Sequence, residues 1–173
     1  ILNHRYLLKN IEHEVSERPA ELFKRVAKTI AEVDKTYGHL PVEVELLASE
    51  FYSIMSTTKF LPNSPTLMNA GTGQGTYSAC FVLPLEDSME GIMKAAHDTA
   101  MVQKFGGGTG FALSKIRPRG DRIRTTHGIA CGPIEVLKTL SRVSSMITQG
   151  GKRDGANMAI MSVYHPDIMD FIT

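Results

Sequence analysis

The chain is short of cysteine, of long apolar runs and of net charge, and each shortage removes a class of function. Two cysteines, Cys80 and Cys131, in 173 residues can form neither a CxxC metal knuckle nor the disulfide framework of a secreted mini-domain. A reduced, cytoplasmic protein is therefore expected. No stretch approaches the roughly 20 consecutive apolar residues of a membrane span, so no membrane partner is expected. The opening ILNHRYLLKN lacks a basic region followed by an apolar one, and no signal peptide is expected there. The formal charge is +1 and the basic residues form no long run, which excludes a large electrostatic footprint for nucleic acid. Small phosphorylated ligands need only a few local cations and are not excluded. His4, His13, His39, His97, His127 and His165 show no i, i+4 pairing or other ligand spacing, so no protein-built metal site is expected. There is no GxSxG, no internal repeat and no low-complexity segment.

What is present is an ordinary globular composition, 42% hydrophobic and 21% charged, on a chain long enough for a sizeable core. PAELFKRVAKTIAEVDKTY (19–37) spaces Leu22, Phe23, Val26, Ile30 and Val33 as one helical stripe, with Pro19 suited to a first turn and Gly38 to a stop. A second helix starts at Pro41, with Val44, Leu47, Ala48, Phe51, Ile54 and Met55 on one face. These make residues 1–59 a helical N-terminal segment. FLPNSPTLMNAGTGQG is rich in Pro, Asn and Gly and reads as a loop. GTYSACFVLP then reads as a buried strand, followed by a helix from about Ser88 to Lys104, with Asp87 and Glu90 spaced as a capping box. FGGGTGFALSKIRPRGD reads as a glycine turn, a short strand and a loop. A helix from about Pro133 to Thr148 and a strand at MAIMSVY complete the pattern, and HPDIMDFIT looks like a helix under way, as if the chain were cut short. Strand, helix, strand, helix, strand is α/β order and favours parallel pairing into a sheet or barrel over 60–173.

Candidate chemistry is sparse. FGGGTGF lacks the GxGxxG spacing and precedes a strand, and QGGKRDG has no Ser or Thr after its Lys, so neither familiar nucleotide loop is present. Clustered glycines still let backbone N–H groups approach an anion or a ring, although GGGTG taken alone reads first as a tight turn. Lys152 and Arg153 in a glycine-flanked loop, and Arg117 and Arg119 in IRPRGDR, offer phosphate forks or are solvated surface. Cys80 is an inert core thiol or a reactive one; spacing leaves both open. Cys131 has no acid or base beside it in the sequence.

The order of LPNSPTLMNAG, SACFVLPLEDSMEGI, GGGTGFALSKIRPRGD and QGGKRDGANMAIMSVYHPDIMDFI strongly resembles the large catalytic subunit of ribonucleotide reductases, most of all the adenosylcobalamin-dependent class II enzymes. The likeness covers about residues 60–173 and, more loosely, the lead-in from HRYLLKN. It implies an α/β fold: a helical N-terminal segment, then the first strands and helices of the reductase barrel, here incomplete. It also implies thiyl-radical reduction of ribonucleotides to deoxyribonucleotides, with a cysteine pair oxidised to a disulfide. By position in SAC, Cys80 resembles the strand-borne, redox-active member of that pair. Ser64, Ala79, Cys80 and Gly108 match substrate contacts. Asp87 and Arg117 match residues holding the ribose and phosphates of a deoxynucleoside triphosphate effector. Gln149, Gly150, Gly151, Lys152 and Arg153 match the loop that relays effector identity to the substrate base.

The family's Asn-x-Cys-x-Glu radical loop and its second redox cysteine do not occur, and Cys131 does not match the latter, so this chain alone is not expected to be active. The resemblance implies as partners a ribonucleotide substrate, the remainder of the reductase chain, a second copy in a homodimer and a thioredoxin-type reductant. Adenosylcobalamin would act through parts beyond Thr173, in a continuation that is truncated, split or intein-interrupted here. A class I large subunit portion and a non-catalytic deoxynucleotide-binding module are the alternative readings.

Overall fold

The computed structural model describes residues 1–149 and 153–173. Contacts divide the chain into two compact units, Ile1–Ala79 and Cys80–Thr173.

The first unit is helical. After α1 (Leu2–Arg5) come α2 (Pro19–Ala31) and α3 (Pro41–Ser56). Both long helices begin the same way, with Pro in the first turn and Glu at the third helical position. Glu21 accepts the Arg18 backbone N–H at 2.8 Å and Glu43 accepts that of Leu40 at 2.7 Å, so each carboxylate satisfies a donor at a positive helix end. The stripe expected on the first helix is only partly buried. Leu22, Phe23 and Val26 are core, but the α-helix ends at Ala31 and continues as a 3-10 turn over Glu32–Tyr37, which rotates Val33 into solvent. On α3, Val44 and Met55 are buried while Ile54 is exposed. Leu7, Leu67 and Ala70 complete this core.

The stretch expected to be a loop contains a helix, α4 (Ser64–Asn69). Asn63 Oδ1 accepts the Thr66 N–H at 2.9 Å and Pro65 stands in the first turn, a start signal hidden in a Pro- and Asn-rich stretch. Its far end is fastened by Arg25. That guanidinium pairs with Glu17 through Nε–Oε1 at 2.7 Å and Nη2–Oε2 at 2.9 Å, and donates to the Ala70 carbonyl.

The second unit is α/β. Strands β1 (Cys80–Val82), β2 (Gly108–Ala112) and β5 (Asn157–Ile160) form a parallel sheet in the order β1-β2-β5. Helices α5 (Met89–Lys104) and α6 (Pro133–Met146) pack on the sheet and on each other. Phe111, Leu113, Ile116, Val136 and Leu140 form its core. The expected parallel α/β order is therefore present, as an open sheet of three strands rather than a closed barrel. Helix α6 ends two residues short of the expected Thr148, and a short antiparallel pair, β3 (Thr148–Gln149) with β4 (Arg153–Asp154), stands in the stretch expected to be a glycine-flanked loop. The last strand is also shorter than MAIMSVY, since Val163 and Tyr164 lie beyond β5 and are exposed. Helix α7 (Ile168–Ile172) closes the chain.

The capping expectation at Asp87 is corrected. Ser88 is the cap of α5, its Oγ accepting the Gly91 N–H at 3.0 Å, and the Asp87 carboxylate turns to Arg117 instead. The glycine turn before β2 is tight for a packing reason: a Cβ on Gly107 would lie 2.7 Å from Val102 and 2.9 Å from the Phe81 ring.

Candidate substrate and effector site

The sheet has two unlike faces. Side chains alternate along a strand and register partners share a side. Phe81, Thr109, Phe111, Asn157 and Ala159 therefore face the helices. Cys80, Val82, Gly108, Gly110, Ala112, Met158 and Ile160 face the other way. Burial agrees: Phe111 is 2% exposed, whereas Val82 is 87% and Met158 66% exposed. Cys80 is thus not the buried strand residue expected from its apolar neighbours; it is exposed on the open face. Its register partner is Gly108. A thiol beside a residue with no side chain leaves room for a ligand against the backbone.

Asp87 and Arg117 meet in the same unit. Arg117 Nε donates to Asp87 Oδ2 at 2.7 Å and Nη2 to the Asp87 carbonyl at 3.4 Å. Both side chains are about one-third exposed, 30% and 34%, so the pair is open to a polar ligand. The chain beneath Arg117 is held by residues that the sequence reading did not single out. His165 Nε2 donates to the Ile116 carbonyl at 2.9 Å, while its Nδ1 accepts the Asp167 N–H at 3.1 Å. Asp167 Oδ2 accepts the Arg119 N–H at 2.8 Å. HPD therefore clamps Ile116–Arg119, and a histidine without ligand spacing proves to be a buried fastener. Gly132 is required beside it: its φ is +82° and a Cβ would lie 2.9 Å from both Arg119 N and Asp167 Oδ2.

Ser64 begins α4 in the first unit and is half-buried, with its Oγ 3.0 Å from the Tyr6 hydroxyl. Ala79 is half-buried at the end of the same unit. Of the glycine-bounded loop, Gln149 and Arg153 are backbone partners in the β3–β4 pair; Gly150, Gly151 and Lys152 lie outside the described residues. Cys131 is exposed, one residue before the α6 cap.

A second polar group that the sequence reading missed lies on the helix-covered face. Gln103 of α5, Thr109 of β2, Asn157 of β5 and Ser144 of α6 form one hydrogen-bonded cluster. Its signal was available, as polar residues at positions where the periodicity calls for apolar ones.

The sequence comparisons agree with this architecture. Residues 1–75 match the family model "Ribonucleotide reductase, all-alpha domain" and residues 78–173 match "Ribonucleotide reductase, barrel domain". The chain belongs to the ribonucleotide reductase family. It is 42% identical over its whole length to a vitamin B12-dependent ribonucleoside-diphosphate reductase of Mycobacterium tuberculosis (strain CDC 1551 / Oshkosh), covering 25% of that protein. It is 36% identical, over 99% of its length, to the enzyme of the same name from Thermoplasma acidophilum, covering 29% of it. A ribonucleoside-diphosphate reductase large subunit of vaccinia virus is 37% identical over 96% of the chain, which covers 20% of that protein. The chain thus spans about a quarter of the length of the first two relatives.

Proposed function

We propose that this chain is the N-terminal portion of a vitamin B12-dependent ribonucleotide reductase that acts on ribonucleoside diphosphates. The observation that carries the reading is the Cys80–Gly108 register pair on the open face of a parallel sheet. The ribose would lie over Gly108 with the Cys80 thiol against it. Reduction at the 2′ carbon expels the hydroxyl as water and needs two electrons. Cys80 would supply one of the two thiols that become a disulfide, the other coming from outside this chain, since Cys131 is not its match. A thioredoxin-type dithiol would restore the pair by exchange.

Ser64 is proposed to donate to the substrate, its hydroxyl oriented by Tyr6, and Ala79 to line the approach to Cys80. Asp87 would accept from the ribose of a deoxynucleoside triphosphate effector, with Arg117 on its phosphates. Gln149, Lys152 and Arg153 would relay effector identity to the substrate base, as an element with more than one arrangement can. Residues 60–173 would supply the substrate and effector functions and 1–59 the helical support. A homodimer in the cytoplasm is the assembly that the family resemblance favours.

Among the described residues no group of three or more His, Cys, Asp or Glu side chains could hold a metal ion, and adenosylcobalamin is proposed to act through parts of the enzyme outside this chain. A class I large subunit portion is the second reading, and the likeness to a vaccinia virus protein named a large subunit supports it.

The test is turnover by the full-length protein. Ribonucleoside diphosphates, adenosylcobalamin and dithiothreitol should yield deoxyribonucleotides, and Cys80→Ser should abolish the product. Turnover only on addition of a separate radical-generating subunit would favour class I. Nucleotide binding with no turnover under either condition would leave a non-catalytic module.

A further inference from the structure

The cluster around Gln103 joins the substrate strands to the foot of the β3–β4 pair. Gln103 is fully buried. Its Nε2 donates to Thr109 Oγ1 at 3.0 Å and to Asn157 Oδ1 at 2.8 Å, with the Ala156 carbonyl at 3.4 Å. Thr109 Oγ1 donates to the same Asn157 oxygen at 2.6 Å, and Asn157 Nδ2 donates to Ser144 Oγ at 2.7 Å. Four elements are tied by side chains that would otherwise be apolar core. Thr109 follows Gly108 directly, so the cluster lies just behind the strand that faces Cys80. Asn157 follows the foot of the hairpin, Gly155–Ala156.

One atom of this cluster is unsatisfied. Among the described residues, Gln103 Oε1 is a buried side-chain acceptor with no hydrogen-bond partner. It lies against Gly155, so close that a Cβ there would be 2.5 Å from it. Buried acceptors are rarely left unpaired, and one that is calls for an explanation. Gly155 belongs to the hairpin foot, where a small rotation of a peptide plane would present an N–H. Gly155 is the residue best able to turn there.

We propose that Gln103 is a positioning residue that couples the hairpin to the substrate strands. Its Oε1 takes a backbone N–H from Gly155–Ala156 in one arrangement of the foot and releases it in the other, while its Nε2 stays fixed to Thr109 and Asn157. Movement of the foot thereby shifts β2 beneath Gly108. This rests on the reading of Asp87, Arg117 and the hairpin given above. The cluster is the two-state element that such a relay requires.

The experiment uses full-length protein with Gln103→Leu, dTTP and dGTP as effector probes, and a mixture of the four ribonucleoside diphosphates as substrates. Leu fills the space and removes both polar atoms. Effector affinity measured without substrate should stay within about twofold, because Gln103 touches neither Asp87 nor Arg117. The effector-induced change in substrate preference should fall about tenfold, within the usual range of coupling between sites. Linkage requires the substrate's effect on effector affinity to fall by the same factor, a readout that a merely structural role would not move. Ser144→Ala, which leaves Asn157 Nδ2 the Leu140 carbonyl at 3.4 Å, should lower coupling in the same direction by a smaller factor, and it decides the matter if the Leu variant does not fold.

Unchanged coupling in the folded variants overturns the proposal. Parallel loss of effector affinity and coupling overturns it too, by making Gln103 structural only. A wild-type protein that shows no effector response removes the effector reading itself, and the inference with it; that failure is visible before any variant is made.

Discussion

Replacing Arg117 by Gln should weaken dTTP binding to the full-length protein by about 10- to 100-fold. The magnitude follows from what the guanidinium does in the structure. Nε and Nη2 are directed at Asp87, whereas Nη1 has no acceptor among the described residues, and a third of the side chain is exposed. One charge-assisted bond from Nη1 to a phosphate oxygen is worth about 1.5–3 kcal/mol, and about 1.4 kcal/mol is tenfold in affinity. The pair with Asp87 does not offset this, because an ion pair so open to water contributes about 0–1 kcal/mol. Asp87→Asn keeps an acceptor for Arg117 but removes the carboxylate, and it should cost about fivefold, the worth of one ordinary hydrogen bond. Titration calorimetry at fixed salt, with thermal unfolding as a control for folding, measures both. A wild-type protein that binds dTTP while Arg117→Gln binds it within twofold would falsify the assignment of Arg117 to the phosphates.

Four further outcomes are expected. Cys80→Ser should abolish turnover yet shift stability by less than about 0.5 kcal/mol, because an exposed side chain carries little packing; unfolding midpoints and product analysis separate the two. Leu140→Ala, at a fully buried position, should cost about 2–5 kcal/mol by denaturant unfolding. Glu17→Gln should be destabilising by about 3–5 kcal/mol by denaturant unfolding, since it strands the Arg25 charge, and the double change Glu17→Leu with Arg25→Met should also destabilise, because it leaves the Leu8 N–H and the Ala70 carbonyl without their side-chain partners. Finally, the Asp98 carboxyl is held below its ordinary value, first by the hydrogen bond from Lys94 and then by that from His97. Its stabilising effect is present above the unfolded carboxylate value and is lost as the pH falls through the lower folded one. Lys94→Gln should therefore raise its titration midpoint by NMR; an unmoved midpoint would exclude Lys94 as the cause.

The periodic signals were legible without coordinates. The stripes at Leu22, Phe23 and Val26 and at Val44 and Met55, the alternation of strand and helix after residue 80, and parallel pairing all follow from apolar spacing and chain order, which are local quantities. The order of the four glycine- and proline-marked motifs also carried the family. Where two signals competed, spacing misled. Pro and Asn at 62–65 read as a loop, although Asn63 caps a helix there. Asp87 and Glu90 have the spacing of a capping box, yet the carboxylate has a stronger partner in Arg117, thirty residues away, that no window contains.

Tertiary structure alone decided which face each strand residue takes and what it meets there. The sequence made Cys80 a strand residue; register against Gly108 put its thiol on the open face. The same sheet put Thr109 and Asn157 behind it, within reach of Gln103 and Ser144. A histidine with no ligand spacing became the clamp under Arg117 because Ile116 and His165 meet only in the folded chain. Periodicity is written into neighbours a few residues apart, so the sequence determines the elements and their order. Partners such as these lie tens of residues apart, and only packing brings them within a hydrogen bond.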